Sequence, residues 1–96
     1  MHTTEKNEGQ RLLEPYPNEH AQRVEDPKRF IQDRIRRKEI APGVWIITGP
    51  KIGGSGSYEV QAYRFDAKKF TAEQARQWLK DHDVVSRYAF EPATGE

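Results

Sequence analysis

The sequence has no cysteine and a single methionine, which excludes disulfides, thiolate nucleophiles and cysteine-ligated metals together. No apolar run is long enough to span a bilayer. The opening MHTTEKNEGQ lacks the apolar centre of a secretory signal, so the expected location is the cytoplasm. An excess of charge of one sign is also missing: 16 Lys and Arg stand against 15 Asp and Glu, a net charge of +1. That is too near neutral to imply a polyanionic partner by itself. Large apolar residues are scarce over residues 1–29, where Leu12, Leu13, Tyr16 and Val24 stand almost alone.

What is present sits in the second half. Eight of the ten aromatic residues fall between Val44 and Phe90, so the core is expected to come from there. At 96 residues, 34% hydrophobic and 32% charged, the chain has room for one small domain. The expected organisation is a flexible polar arm at 1–25, a single α+β domain at 26–92 and a frayed end at 93–96. So small a core supplies only about 3–5 kcal/mol of net stability.

Local signals divide the domain. Asp26-Pro27 has the form of a helix start, an Asp cap before Pro at the first helical position. Phe30, Ile31, Arg34, Ile35 and Lys38 then recur at helical spacing, which predicts a short helix over 27–37, ended by Pro42-Gly43. The β-branched and aromatic run 44–48 predicts a strand, and 58–65 a second one paired with it across the glycine-rich GPKIGGSGS. Phe70-Thr71-Ala72-Glu73-Gln74-Ala75 carries a capping-box pattern with a weak hydrophobic staple. The helix it opens runs to His82 with Ala75, Trp78 and Leu79 on one face, and 84–90 predicts a third strand. The expected fold is strand-strand-helix-strand: a three-stranded sheet with one packed helix.

Alternation makes a further point. Tyr58, Val60 and Ala62 are expected on one face of their strand and Tyr63 and Phe65 on the other, with Tyr88 and Phe90 set apart from Val85 and Ala89. One helix covers one face of a sheet. Tyr63, Phe65, Tyr88 and Phe90 therefore become a candidate protein-contact surface, to be covered by the chain's own 27–40 segment, a second copy or a ligand.

Chemical motifs are few. The glycine-rich stretch is no phosphate loop, because Lys51 precedes its glycines and a strand follows them; it reads as a hairpin tip available to a partner. His2, His20 and His82 lack metal-ligand spacing, and no cofactor or metal is expected. His82 suits a helix C-terminus, where a cationic ring meets the negative end of the dipole. Glu19 beside His20 has the makings of an acid–base pair, although polar neighbours in a turn explain both. From Lys28 to Lys38 six cations face only Asp33, a local net charge of +5. Arg34, Arg36, Arg37 and Lys38 are the candidate nucleic-acid contacts, weighed against a solvated, salt-bridged face.

Taken as a set, PYPNEHAQRVEDPKRF, IRRKEIAPGVWIITG, VQAYRFDAKKFTAEQARQWLKDH and FEPA resemble a pattern in small phage and prophage proteins, similar to segments associated with head-maturation (prohead protease) polypeptides. The likeness covers about residues 15–93 and is best over 60–82. It implies a phage-related accessory module and carries over no catalytic residue. No Ser/His pair is arranged for nucleophilic work. The expected function is non-enzymatic protein–protein contact, with a phage structural protein or a second copy as partner and head assembly as the setting. The alternative is nucleic-acid binding through 28–38.

Overall fold

The computed structural model describes residues 16–95; the expected arm lies outside the described residues up to position 15. The elements in chain order are β1 (Glu19–Arg23), 3-10 turns at Pro27–Arg29 and Gln32–Arg34, β2 (Arg36–Ala41), β3 (Val44–Pro50), β4 (Tyr58–Asp66), α1 (Ala72–Asp81) and β5 (Phe90–Glu91). The class is α+β, with one helix on one face of an antiparallel sheet. The sheet has five strands in the order β2-β3-β4-β1-β5, where three were expected.

The 27–37 helix does not form. Asp26 does cap, accepting from the Lys28 N–H at 2.9 Å, but the turn closes after Arg29 and residues 36–41 become the edge strand β2. Pro42-Gly43 explains the difference. It is the turn of a β2–β3 hairpin, with Ala41 opposite Val44 and Gly43 at φ +77°, the geometry of Gly after Pro in a type II turn. RRKEIA gains ladder partners from Val44–Thr48 at every position but Ile40, which a half-apolar helix face could not match.

Residues 19–23, expected in the flexible arm, instead form β1 between β4 and β5. Nor are residues 93–95 frayed, because Thr94 and Gly95 donate to the carbonyls of Tyr16 and Pro17 at 2.9 and 3.1 Å. The third strand shrinks to Phe90–Glu91, paired with Gln22 and Ala21. Before it, Asp83 turns the chain at φ +57° and Val85 is 87% exposed. Side-chain bonds hold this connection, among them Gln22 Nε2 to the Tyr88 carbonyl at 2.9 Å.

The capping box of α1 is complete: the Gln74 N–H donates to Thr71 Oγ1 at 3.1 Å and the Thr71 N–H to Gln74 Oε1 at 2.9 Å. The helix buries Ala75 and Leu79 against Val44 and Phe65, with Tyr63, Phe70, Trp78 and Phe90 around them. The Phe65 ring meets Phe70 and Trp78 edge-on at 5.4 and 5.6 Å, a favoured aromatic geometry. His82 caps the helix end, stacked on Trp78 at 3.7 Å between ring centres.

A β-bulge divides β4. Ile47 pairs with Ala62 and Thr48 with Val60, so Gln61 is the extra residue. The extra residue reverses the alternation: Ala62 faces away from the helix, while Val60 and Tyr58 lie on the helix side of the sheet. The expected common face of Tyr58, Val60 and Ala62 is thereby broken.

Candidate functional site

The aromatic contact surface read from the sequence is not open. Phe65 is fully buried, Tyr63 packs on Trp78 at 5.9 Å, and Phe90 lies against the His20 ring and beneath the Arg76 guanidinium. All three belong to the helix-covered face. Only Tyr88 is on the other side, with Arg23 6.0 Å from its ring centre.

The cations of 28–38 are also separated. β2 alternates, so Arg36 and Lys38 point to one face and Arg37 to the other. Arg36 lies over Tyr58 at 4.5 Å, and Arg34 stands in the preceding turn. Glu19 and His20, neighbours on β1, point to opposite faces as well. The Ala93 N–H donates to His20 Nδ1 at 2.9 Å and Nε2 donates to the Phe70 carbonyl at 2.8 Å. Both ring nitrogens thus tie chain segments together, and the proposed acid–base pair is not assembled.

The face away from α1 carries the site. There the sheet curves round a groove of about 1010 Å³. Its floor is Ala21 from β1, Ile47 from β3 and Ala62 from β4, and the 27–35 segment closes one wall with Phe30 and Ile35. This segment covers part of the face opposite α1 and not the face of Tyr63, Phe65 and Phe90 that it was expected to cover, because α1 packs there. Phe30 is fully buried, and Gly49 makes room for it: a Cβ there would come within 2.7 Å of Ile35 Cδ1 and 3.3 Å of the Phe30 ring. The floor residues Ala21, Ile47 and Ala62 keep little exposure at the bottom of the groove. Ile52, 65% exposed, stands at its rim.

A diagonal stripe of charged and aromatic side chains crosses this face. The Arg37 guanidinium lies over Trp45 at 4.5 Å and pairs with both carboxylate oxygens of Glu19. Arg64 donates to Glu19 Oε1 at 3.0 Å and to the Tyr16 hydroxyl at 2.7 Å, and lies over the Tyr16 ring at 3.8 Å. One carboxylate therefore holds two guanidinium groups side by side, each backed by an aromatic ring. Burial pushes the Glu19 carboxyl up, but hydrogen bonds and charge from Arg37 and Arg64 outweigh it and hold the group below the usual carboxylate range.

The stripe also measures the curvature. Arg37 aligns through Ile47 and Ala62 with Arg23, four residues from Glu19 along β1. On a flat sheet their Cα atoms would stand about 20 Å apart, from the usual strand spacing and rise per residue, beyond the combined reach of the two side chains. Curling of the sheet, with shifts of register at Gln61 and near Ile40, closes that distance.

At the far end, Lys51 bridges Glu25 at 2.9 Å and Glu59 at 3.3 Å. A hydrogen bond from Lys51 is the main reason the Glu25 carboxyl is held low. The base of the glycine-rich tip is thereby fixed to the loop after β1, and the Ile52 N–H donates to the Arg29 carbonyl at 2.8 Å. Among the described residues no three His, Asp or Glu side chains gather in a way that could hold a metal ion, and no helix is long and apolar enough to cross a membrane.

Sequence reasoning missed Tyr16, Ala21 and Arg64 as site residues and took Glu19 as an acid–base partner of His20 rather than of the arginines. The alternation Ala62-Tyr63-Arg64-Phe65 was the available signal: it sets an arginine on the face opposite the aromatic core. Compared with protein-family models, with characterised proteins and with solved structures, the chain matches none.

Proposed function

We propose that this chain is a non-enzymatic, phage-related interaction module that receives an extended segment of a partner protein in the concave face of its sheet. One observation carries the reading. The helix-covered face is closed by its own aromatic residues, while the opposite face carries a groove with an arginine–aromatic rim, its apolar floor of Ala21, Ile47 and Ala62 exposed by only 5–8%. Grooves with an apolar floor and a few placed polar groups are what protein surfaces use to hold ligands, and an extended peptide suits a concave strand surface.

The phage setting rests on the resemblance of residues 15–93, with head assembly as the process. Nucleic acid is the second reading, favoured by the guanidinium–ring pairs, since bases stack on such platforms. Against it stands Glu19, whose carboxylate already pairs with the two best-placed arginines.

The test is selection of 16-residue peptides from a random display library, repeated against Ile52→Lys at the exposed rim. Enriched peptides that bind the wild type and lose the variant, with both proteins melting alike, support the groove. Peptides indifferent to Ile52→Lys, or none enriched, contradict it. The phage setting is tested separately by the adjoining open reading frames: capsid and portal genes support it, a replication cassette does not.

A further inference from the structure

The lining of the groove has a charge pattern of its own. Four cations, Arg23, Lys28, Arg37 and Arg64, line it against two carboxylates, Asp26 and Glu91, with Glu19 a third, paired to two of the cations. Asp26 is engaged in capping the Lys28 N–H. Along β1 the apolar position Ala21 lies midway between Glu19, where Arg37 and Arg64 converge, and Arg23. The apolar floor is thus flanked by guanidinium groups on both sides. Arg37 is 38% exposed although bidentate to Glu19, so donors remain on its solvent side.

Glu19 occupies the place an incoming carboxylate would take. Two guanidinium forks converging on one carboxylate form a carboxylate-binding arrangement, here satisfied by the chain itself. Resting on the groove reading above, we propose that the partner segment is acidic, with an apolar centre over Ala21, Ile47 and Ala62, and that its carboxylate competes with Glu19 for Arg37 and Arg64. Glu19 then acts as an internal placeholder that keeps the arginines side by side in the free protein and lowers the affinity of weaker ligands. A basic or neutral segment gains nothing from the pair.

The prediction has an unusual sign. Removing a charge from the site should strengthen binding. Fluorescein-labelled acetyl-EEVVVVEE-amide and its counterparts with serine or lysine in place of glutamate, together with a labelled dT oligonucleotide, are titrated with the full chain by anisotropy. The acidic peptide should bind about tenfold tighter than the serine peptide, the scale of one charge-assisted contact. Arg37→Ala or Arg64→Ala should erase that preference, and Glu19→Gln should tighten the acidic peptide about threefold, more than it tightens the serine peptide. Circular dichroism melts establish that each variant is folded. Equal affinity for the acidic and serine peptides overturns this inference and leaves the groove reading standing. Weaker acidic-peptide binding by folded Glu19→Gln overturns the competition. Failure of every peptide overturns both readings, and tighter binding of the oligonucleotide, lost in Arg37→Ala, replaces them with nucleic-acid recognition.

Discussion

Arg37, on the edge strand β2, reaches across β3 and β4 to pair bidentately with Glu19 on β1. The contact closes the concave face, and it makes stability depend on pH in a definite direction. A carboxyl held low in the folded state contributes stability that is present above its unfolded pKa, ordinarily 4.5, and lost as pH falls through the folded value. Glu19→Gln should cost about 1 kcal/mol near neutrality, the scale of a partly exposed ion pair. The gap between the two proteins should narrow below pH 4.5 and close at lower pH, read from urea midpoints across a pH series. A gap that does not change with pH would show that the carboxylate charge contributes nothing.

Gly43 tests the hairpin that replaced the expected helix. Its φ of +77° disfavours any side chain, and a Cβ would sit 2.9 Å from Lys69 Cδ and 3.3 Å from the Phe70 ring. Gly43→Ala should destabilise by about 1–2 kcal/mol, visible as a lower melting temperature. An unchanged one would place the turn elsewhere.

Phe65 and Tyr88 were grouped by sequence and are separated by structure. Phe65→Ala should cost about 3–5 kcal/mol, as buried aromatic truncations do, enough to unfold a domain this small. Tyr88→Ala, on the open side, should cost less than about 1 kcal/mol. Equal losses in denaturant melts would contradict the division of faces.

His20 joins three segments: β1, the turn before α1 and residue 93. His20→Leu keeps the volume but leaves a carbonyl and an N–H without their partner, a cost of about 1–3 kcal/mol. Hydrogen exchange should quicken at Ala93 in that variant. Unaltered protection there would remove the link.

The parts of the fold legible in the sequence were those written in local chemistry. Thr71 and Gln74 announce the helix start, Val44–Pro50 has β-branched and aromatic residues, and Ala75 and Leu79 mark the buried helix face. β1 was not legible. Glu-His-Ala-Gln-Arg has no strand propensity to speak of, and it lies inside the sheet because His20 and Gln22 find partners more than sixty residues away. Arg36–Ala41 misled for the opposite reason: Asp26-Pro27 is a true cap signal, and hairpin pairing with the neighbouring β3 outcompeted the helix it began. The site shared both difficulties. Arg37 was visible within a charged run and Arg64 was not; that both meet Glu19 depends on strand order and curvature, and neither leaves a local mark.

The most direct measurement is a methyl-detected NMR titration of the chain with acetyl-EEVVVVEE-amide. The account predicts saturable shifts at the methyls of Ala21, Ile47 and Ala62, with those of Val44, Ala75 and Leu79 unmoved beneath the helix. Shifts confined to the helix side, or none at millimolar peptide, would contradict it.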